Sequence, residues 1–150
     1  DGNADTYTFH WDNIRFDGPV VEPYQTYQAS DVVYLQRNGD RTVGESETVT
    51  IDLDEIGDSP VLFGQIHQPK KGHVLLSING GPQFEVEPYE YERADCASDH
   101  WTSFRVELDP AQLQIGENEL TWTIGPKPDC ATGPIDWTGF SVKFLQIQTD

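Results

Sequence analysis

Apolar positions along this chain recur mostly with a period of two. Val49, Ile51 and Leu53 alternate with threonine and aspartate, and Val74, Leu76 and Ile78 lead into the turn Asn79-Gly80-Gly81. Phe104, Val106 and Leu108 repeat the pattern, as do Leu120, Trp122 and Ile124. A period of two sends successive side chains to opposite faces of a sheet, so each run predicts a strand with one buried face. Trp122 is placed in the core by its phase. Near the start, Tyr7, Phe9 and Trp11 predict another strand, with a bulge or turn at Asp12-Asn13 that puts Ile14 and Phe16 in the opposite parity. Val32 to Gln36 reads as a short strand stopped by Asn38-Gly39-Asp40. Val61 to His67 is more uniformly apolar, which predicts a central strand. At the end, Phe140, Val142 and Phe144 alternate before Leu145 and Ile147 take over the other phase. That flip predicts a bulge near Phe144 or burial on both sides.

No stretch carries a helical period of any length. Asp109-Pro110-Ala111-Gln112-Leu113 allows one turn, with Asp109 as its cap and Pro110 at the first helical position. Short strands separated by Gly, Pro, Asn and Asp predict an all-β chain. The expected architecture is an antiparallel β-sandwich of jelly-roll type, with roughly eight to ten strands, no substantial helix, and residues 1–150 as one domain.

Charge narrows the partners. The chain has 9 Lys and Arg against 26 Asp and Glu, a formal net charge of −17. Such a surface repels phosphate backbones and anionic membranes, so nucleic acid and membrane partners are not expected. Neutral ligands and cations remain compatible. A strongly anionic polysaccharide would need a local basic patch, and Lys70-Lys71 is the one adjacent pair. The absence of a leader before Asp1 is expected of a mature or excised domain. Cys96 and Cys130 lie in polar, loop-like surroundings and predict one disulfide and a secreted, oxidising setting, with two free buried thiols as the alternative. Closing so long a loop would contribute roughly 3–4 kcal/mol in the chain-entropy model.

Three segments carry a resemblance. Val74 to Gly80, Phe104 to Leu108, and Leu113 to Ile124 with its Gly116-Glu117-Asn118 corner are together similar to the galactose-binding-like jelly-rolls. The run Gly139 to Phe144 resembles the last strand of that family. The resemblance covers about half the chain. It implies a β-sandwich of the kind found as sugar-binding domains of glycosidases and as carbohydrate-binding modules. The long insert Pro82–Thr102 is not part of the family's minimal pattern.

That insert holds the candidate ligand site. Tyr89 and Tyr91 share one parity if the run is extended, opposite Glu90 and Glu92, and Arg93, His100 and Trp101 follow. Aromatic faces cover the apolar surface of a pyranose, while Arg and carboxylates bind its hydroxyls. The disulfide would bring Trp137 and Asp136 to the same loop. The competing reading makes these aromatics a cap on the open end of the sandwich. Glu85 with Glu87, or Glu90 with Glu92, have a spacing compatible with glycoside hydrolysis, roughly 7 Å along a strand. For metal, no cofactor is required; a structural calcium would draw on Asp12, Asn13, Asp17 and Asp136. The four histidines lack zinc-type spacing and read as surface or strand-end residues. The expected function is therefore binding of a neutral carbohydrate, without catalysis, by a secreted module of a larger multidomain protein. The alternatives are a structural or accessory sandwich mediating protein interaction, and a polysaccharide hydrolase or lyase.

Overall fold

The computed structural model describes residues 25–29, 31–35, 43–92, 97–126 and 139–150. Nine strands form among them: β1 (Gln25–Gln28), β2 (Val33–Tyr34), β3 (Ser46–Leu53), β4 (Val61–His67), β5 (Val74–Ile78), β6 (Phe84–Glu85), β7 (Trp101–Glu107), β8 (Gly116–Ile124) and β9 (Ser141–Thr149). The larger sheet has the order β1-β9-β4-β7, with β2 also on β9, and the smaller has the order β3-β8-β5-β6. Every pairing is antiparallel. From β3 onward the chain changes layer at each connection except that from β5 to β6. This is the predicted sandwich. β4 lies inside its sheet, as its apolar composition requires. The strand expected at Tyr7–Trp11 lies outside the described residues.

The two layers meet on side chains that the period of two sends inward. Trp122 of β8 is fully buried, with Phe104 of β7 at 5.8 Å and Phe140 at 6.4 Å between ring centroids, both edge-on. Edge-to-face packing of this kind adds to the large area each ring removes from water. Around them pack Leu76, Ile78, Leu62, Ile66, Val142 and Ile147.

One corner ties three elements together. Asn79 and Gly80 both take positive φ, 50° and 72°, so the chain turns tightly after β5. The Asn79 amide donates to the Gln112 carbonyl at 2.8 Å and to Asn118 Oδ1 at 2.9 Å. Asn118 is fully buried, and its own amide donates to the carbonyls of Gln114 (2.7 Å) and Gly116 (2.9 Å). Its Oδ1 also accepts from the Gln114 N–H at 2.9 Å. Between them, Pro110–Gln112 make the expected single turn, of 3-10 type, with Asp109 Oδ1 accepting from the Ala111 N–H.

The phase flip in β9 is a bulge. Phe63 faces Gln146 and Gln65 faces Lys143, so Phe144 and Leu145 together oppose Gly64. Phe144 has φ +54° and is 66% exposed, while Leu145 is buried. Gly64 is required here. A Cβ on it would stand 2.7 Å from Phe104 Cε1 and 3.3 Å from the Lys143 carbonyl.

Replacing Asn118 with alanine removes a buried amide and leaves the Gln114 and Gly116 carbonyls and the Asn79 amide without it. The expected loss is about 2–4 kcal/mol, read from the urea midpoint at constant m-value.

Candidate ligand-binding face

The outer face of the larger sheet is built by alternation. In β4, Leu62, Gly64 and Ile66 point to the core, so Phe63, Gln65 and His67 stand on the opposite face. Their partners across β7 are Arg105, Ser103 and Trp101. Across β9, Gln146 stands beside Phe63 and Lys143 beside Gln65. The bulge raises Phe144 onto this face. Tyr89 reaches it from the other side because Pro88 pairs with Phe104 and the Tyr89 N–H donates to the Ser103 carbonyl at 3.0 Å. The segment before β7 therefore covers that edge strand, with proline at the bridge.

The result is an open groove of about 350 Å³, walled by Tyr89 and Phe144 and floored by Phe63, Gln65, Ser103 and Gln146. Its size falls among ligand clefts, roughly 300–1,000 Å³. A neighbouring depression of about 540 Å³ shares Phe63 and continues past Arg105 to Asp58 and Asp150. There the Asp150 carboxylate accepts from the Asp58 and Ser59 N–H groups at 2.9 Å each. Those bonds hold its acid below the usual range, the one from Ser59 most strongly.

Beyond the opposite end of the groove, Trp101 is engaged by its neighbours. His67 packs on it with centroids 5.0 Å apart, and Lys143 Nζ lies 3.9 Å from the centre of a Trp101 ring. The same ammonium lies 4.9 Å from the Phe144 ring. Burial, followed by the charges of His100 and Lys143, holds the His67 imidazole below its ordinary pKa.

The sequence-derived candidates separate. Tyr89 is 68% exposed on the groove. Trp101 is the first residue of β7 and not part of a loop, and it is 37% exposed. His100 is exposed beside it, its carbonyl accepting from the Gln68 N–H. Tyr91 does not follow Tyr89, because the chain bends there and is not extended. Its hydroxyl is buried without a hydrogen-bond partner, and burial, then Glu85 and Glu87, push its pKa well above the ordinary value. The described part of the insert serves the fold more than its sequence suggested: Val86, Ala97 and Ser98 are buried, and Glu85 accepts from the Gly72 N–H. Of the histidines, His73 is buried immediately before β5, a strand-end position and not a surface one. Arg93, Trp137, the disulfide candidates Cys96 and Cys130, and the calcium candidates Asp12, Asn13, Asp17 and Asp136 lie outside the described residues. Phe63, Gln65, Ser103, Lys143, Phe144 and Gln146 were missed. The phase break at Phe144 was their one sequence signal.

The sequence matches no protein-family model and no curated protein. In fold, the chain is similar to part of BpGH86A, a β-porphyranase of glycoside hydrolase family 86 from the human gut bacterium Bacteroides plebeius. The TM-score is 0.57 at 18% identity, over 84% of this chain and 20% of that one. Weaker likenesses are to BuGH86 in complex with neoagarooctaose (TM-score 0.47, 14% identity, 84% of this chain and 19% of that one) and to CBM35 from Cellvibrio japonicus Abf62 (0.48, 12%, 85% and 93%). The chain thus spans about one fifth of the β-porphyranase, and at this identity the likeness concerns the fold alone.

Two outcomes follow from the buried groups. Because the His67 pKa is lowered in the folded state, the unfolded chain takes up that proton first as the pH falls. Stability is therefore present above the ordinary value of 6.5 and is lost below it. The urea midpoint should drop more for the wild type than for His67→Gln between about pH 7.5 and pH 5.5. Tyr91→Phe removes a buried hydroxyl without a partner, so it should leave thermal stability unchanged or raise it by up to about 1 kcal/mol.

Proposed function

We propose that this chain is a non-catalytic carbohydrate-binding module whose groove on the larger sheet holds a polysaccharide chain. The observation that carries this reading is Phe144. A bulky side chain at φ +54° is an uncommon and costly choice, and here it holds an apolar ring 66% exposed at the rim of a groove. Tyr89 stands on the other rim. Two aromatic walls over a floor of Gln65, Ser103 and Gln146 suit a pyranose, which offers apolar faces and a belt of hydroxyls. The groove is open to solvent and adjoins a second depression that shares Phe63, so it fits a chain better than a single sugar.

Two further points support the reading. The fold recurs as about one fifth of a β-porphyranase, which favours a module within a larger, secreted, polysaccharide-acting protein. The rival structural sandwich expects Tyr89 to be buried, and it is 68% exposed. On net charge alone, the bound glycan would be neutral.

The test pairs affinity with stability. Tyr89→Ala and Phe144→Gly should each weaken polysaccharide binding about tenfold or more, the roughly 1.4 kcal/mol that a tenfold change represents. Tyr89→Ala should leave the melting temperature nearly unchanged. Phe144→Gly should hold or raise it, since glycine relieves about 1 kcal/mol at a left-handed position. Binding that survives both changes, measured by glycan array and affinity gel, rejects the groove.

A further inference from the structure

The charge of −17 is unevenly distributed over the two layers. The strands of the smaller sheet carry Glu47, Asp52, Glu85, Glu117 and Glu119, and no Lys, Arg or His. The strands of the larger sheet carry Arg105, Lys143 and His67, and Glu107 as their single acid. Glutamine replaces the carboxylates expected of so acidic a chain: Gln25, Gln28, Gln65, Gln146 and Gln148 all lie on that sheet. A fold that needed acid for solubility alone had no reason to spare this layer. The sparing coincides with the groove.

Beside one end of the groove the charge is positioned. Lys143 adjoins Gln65 on the floor and holds its ammonium 3.9 Å from a Trp101 ring and 4.9 Å from Phe144. Both contacts are with ring faces, which attract the cation without neutralising it. Arg105, by contrast, is bound by Glu107 at 2.9 Å. Asp58, Glu107 and Asp150 line the adjoining depression. The Lys143 end has His67 and His100 beside it, and Lys70-Lys71 follow in the turn after β4.

From this arrangement we infer that the polysaccharide held in the groove bears anionic substituents, sulfate ester or carboxylate, and that Lys143 pairs with one of them while Tyr89 and Phe144 cover the uncharged ring faces. The inference rests on the groove proposed above. It replaces the neutral glycan expected from net charge, because a ligand responds to the field at its site and not to the sum over the chain. Trp101 becomes a positioning residue: its ring holds the ammonium in place and is not a free stacking surface.

The test uses matched polysaccharides in native affinity gels: agarose against chemically sulfated agarose, and methyl-esterified against de-esterified polygalacturonate. The wild type should be retarded more by the anionic member of at least one pair. The pair that shows this separates sulfate from carboxylate. The difference should shrink as salt is raised. Lys143→Gln should cut the anionic binding about tenfold, as expected for a charge-assisted contact, and weaken binding of the neutral member far less. Lys143→Arg should retain the preference, which excludes a folding defect at this position. Equal retardation by both members of each pair overturns the inference, as does a preference that survives Lys143→Gln. Loss of both members in Tyr89→Ala reports on the groove itself. If nothing in either pair retards the wild type, the carbohydrate reading fails and this inference falls with it.

Discussion

Gly64 and the bulge opposite it are what the candidate site depends on. Gly64 leaves room for the Phe104 ring beneath it, and that ring packs edge-on against Trp122 in the other layer. The core contact and the outer surface thus meet at one position without a side chain. Across from it, β9 spends two residues where β4 spends one. Leu145 turns inward to fill the core, and Phe144 is forced outward in a conformation that glycine would take more easily. Natural sheets usually place small or polar residues at such exposed points. A phenylalanine there stores strain and exposes apolar area, a combination associated with binding surfaces.

The two faces of the sandwich then divide their tasks. The smaller sheet turns Asp52, Glu117 and Glu119 toward water and so carries an acidic coat. The larger sheet is relieved of that duty and can carry aromatic, amide and basic groups. Physical separation matters because charges more than about 8–10 Å apart across water are largely screened at ordinary ionic strength. A strongly anionic protein can therefore present a local face that is not anionic.

Most of the architecture was legible in the sequence. Period-two runs marked β3, β5, β7, β8 and β9, because a half-buried strand must alternate, whereas β6 fell in the segment read as a loop. The uniform composition of Val61 to His67 marked an interior strand. Gly116–Asn118, expected as a corner, instead opens β8, while the Asn79 turn was recognised. That Asn79 and Asn118 share a hydrogen bond was not, since they are 39 residues apart. The Pro82–Thr102 segment was read as an excess loop. It is partly core and partly an edge cover, because Val86 and Pro88 find partners on β5 and β7 that are remote in sequence.

By itself, the sequence determined the fold class, the positions of the longer strands, the capped turn at Asp109 and the break of phase at Phe144. Each of these is a local consequence of side-chain periodicity or backbone preference. Which residues share the outer face of the larger sheet was decided by tertiary structure alone. β4, β7 and β9 are far apart along the chain, and their register sets Lys143 beside Gln65 and Trp101 beside His67. Net charge suffers the same limit: composition sums over the surface, whereas the fold assigns each charge to a face. Tyr89 and Tyr91 differ for this reason too, since a bend fixed by pairing with β7 leaves one ring at the groove and buries the hydroxyl of the other.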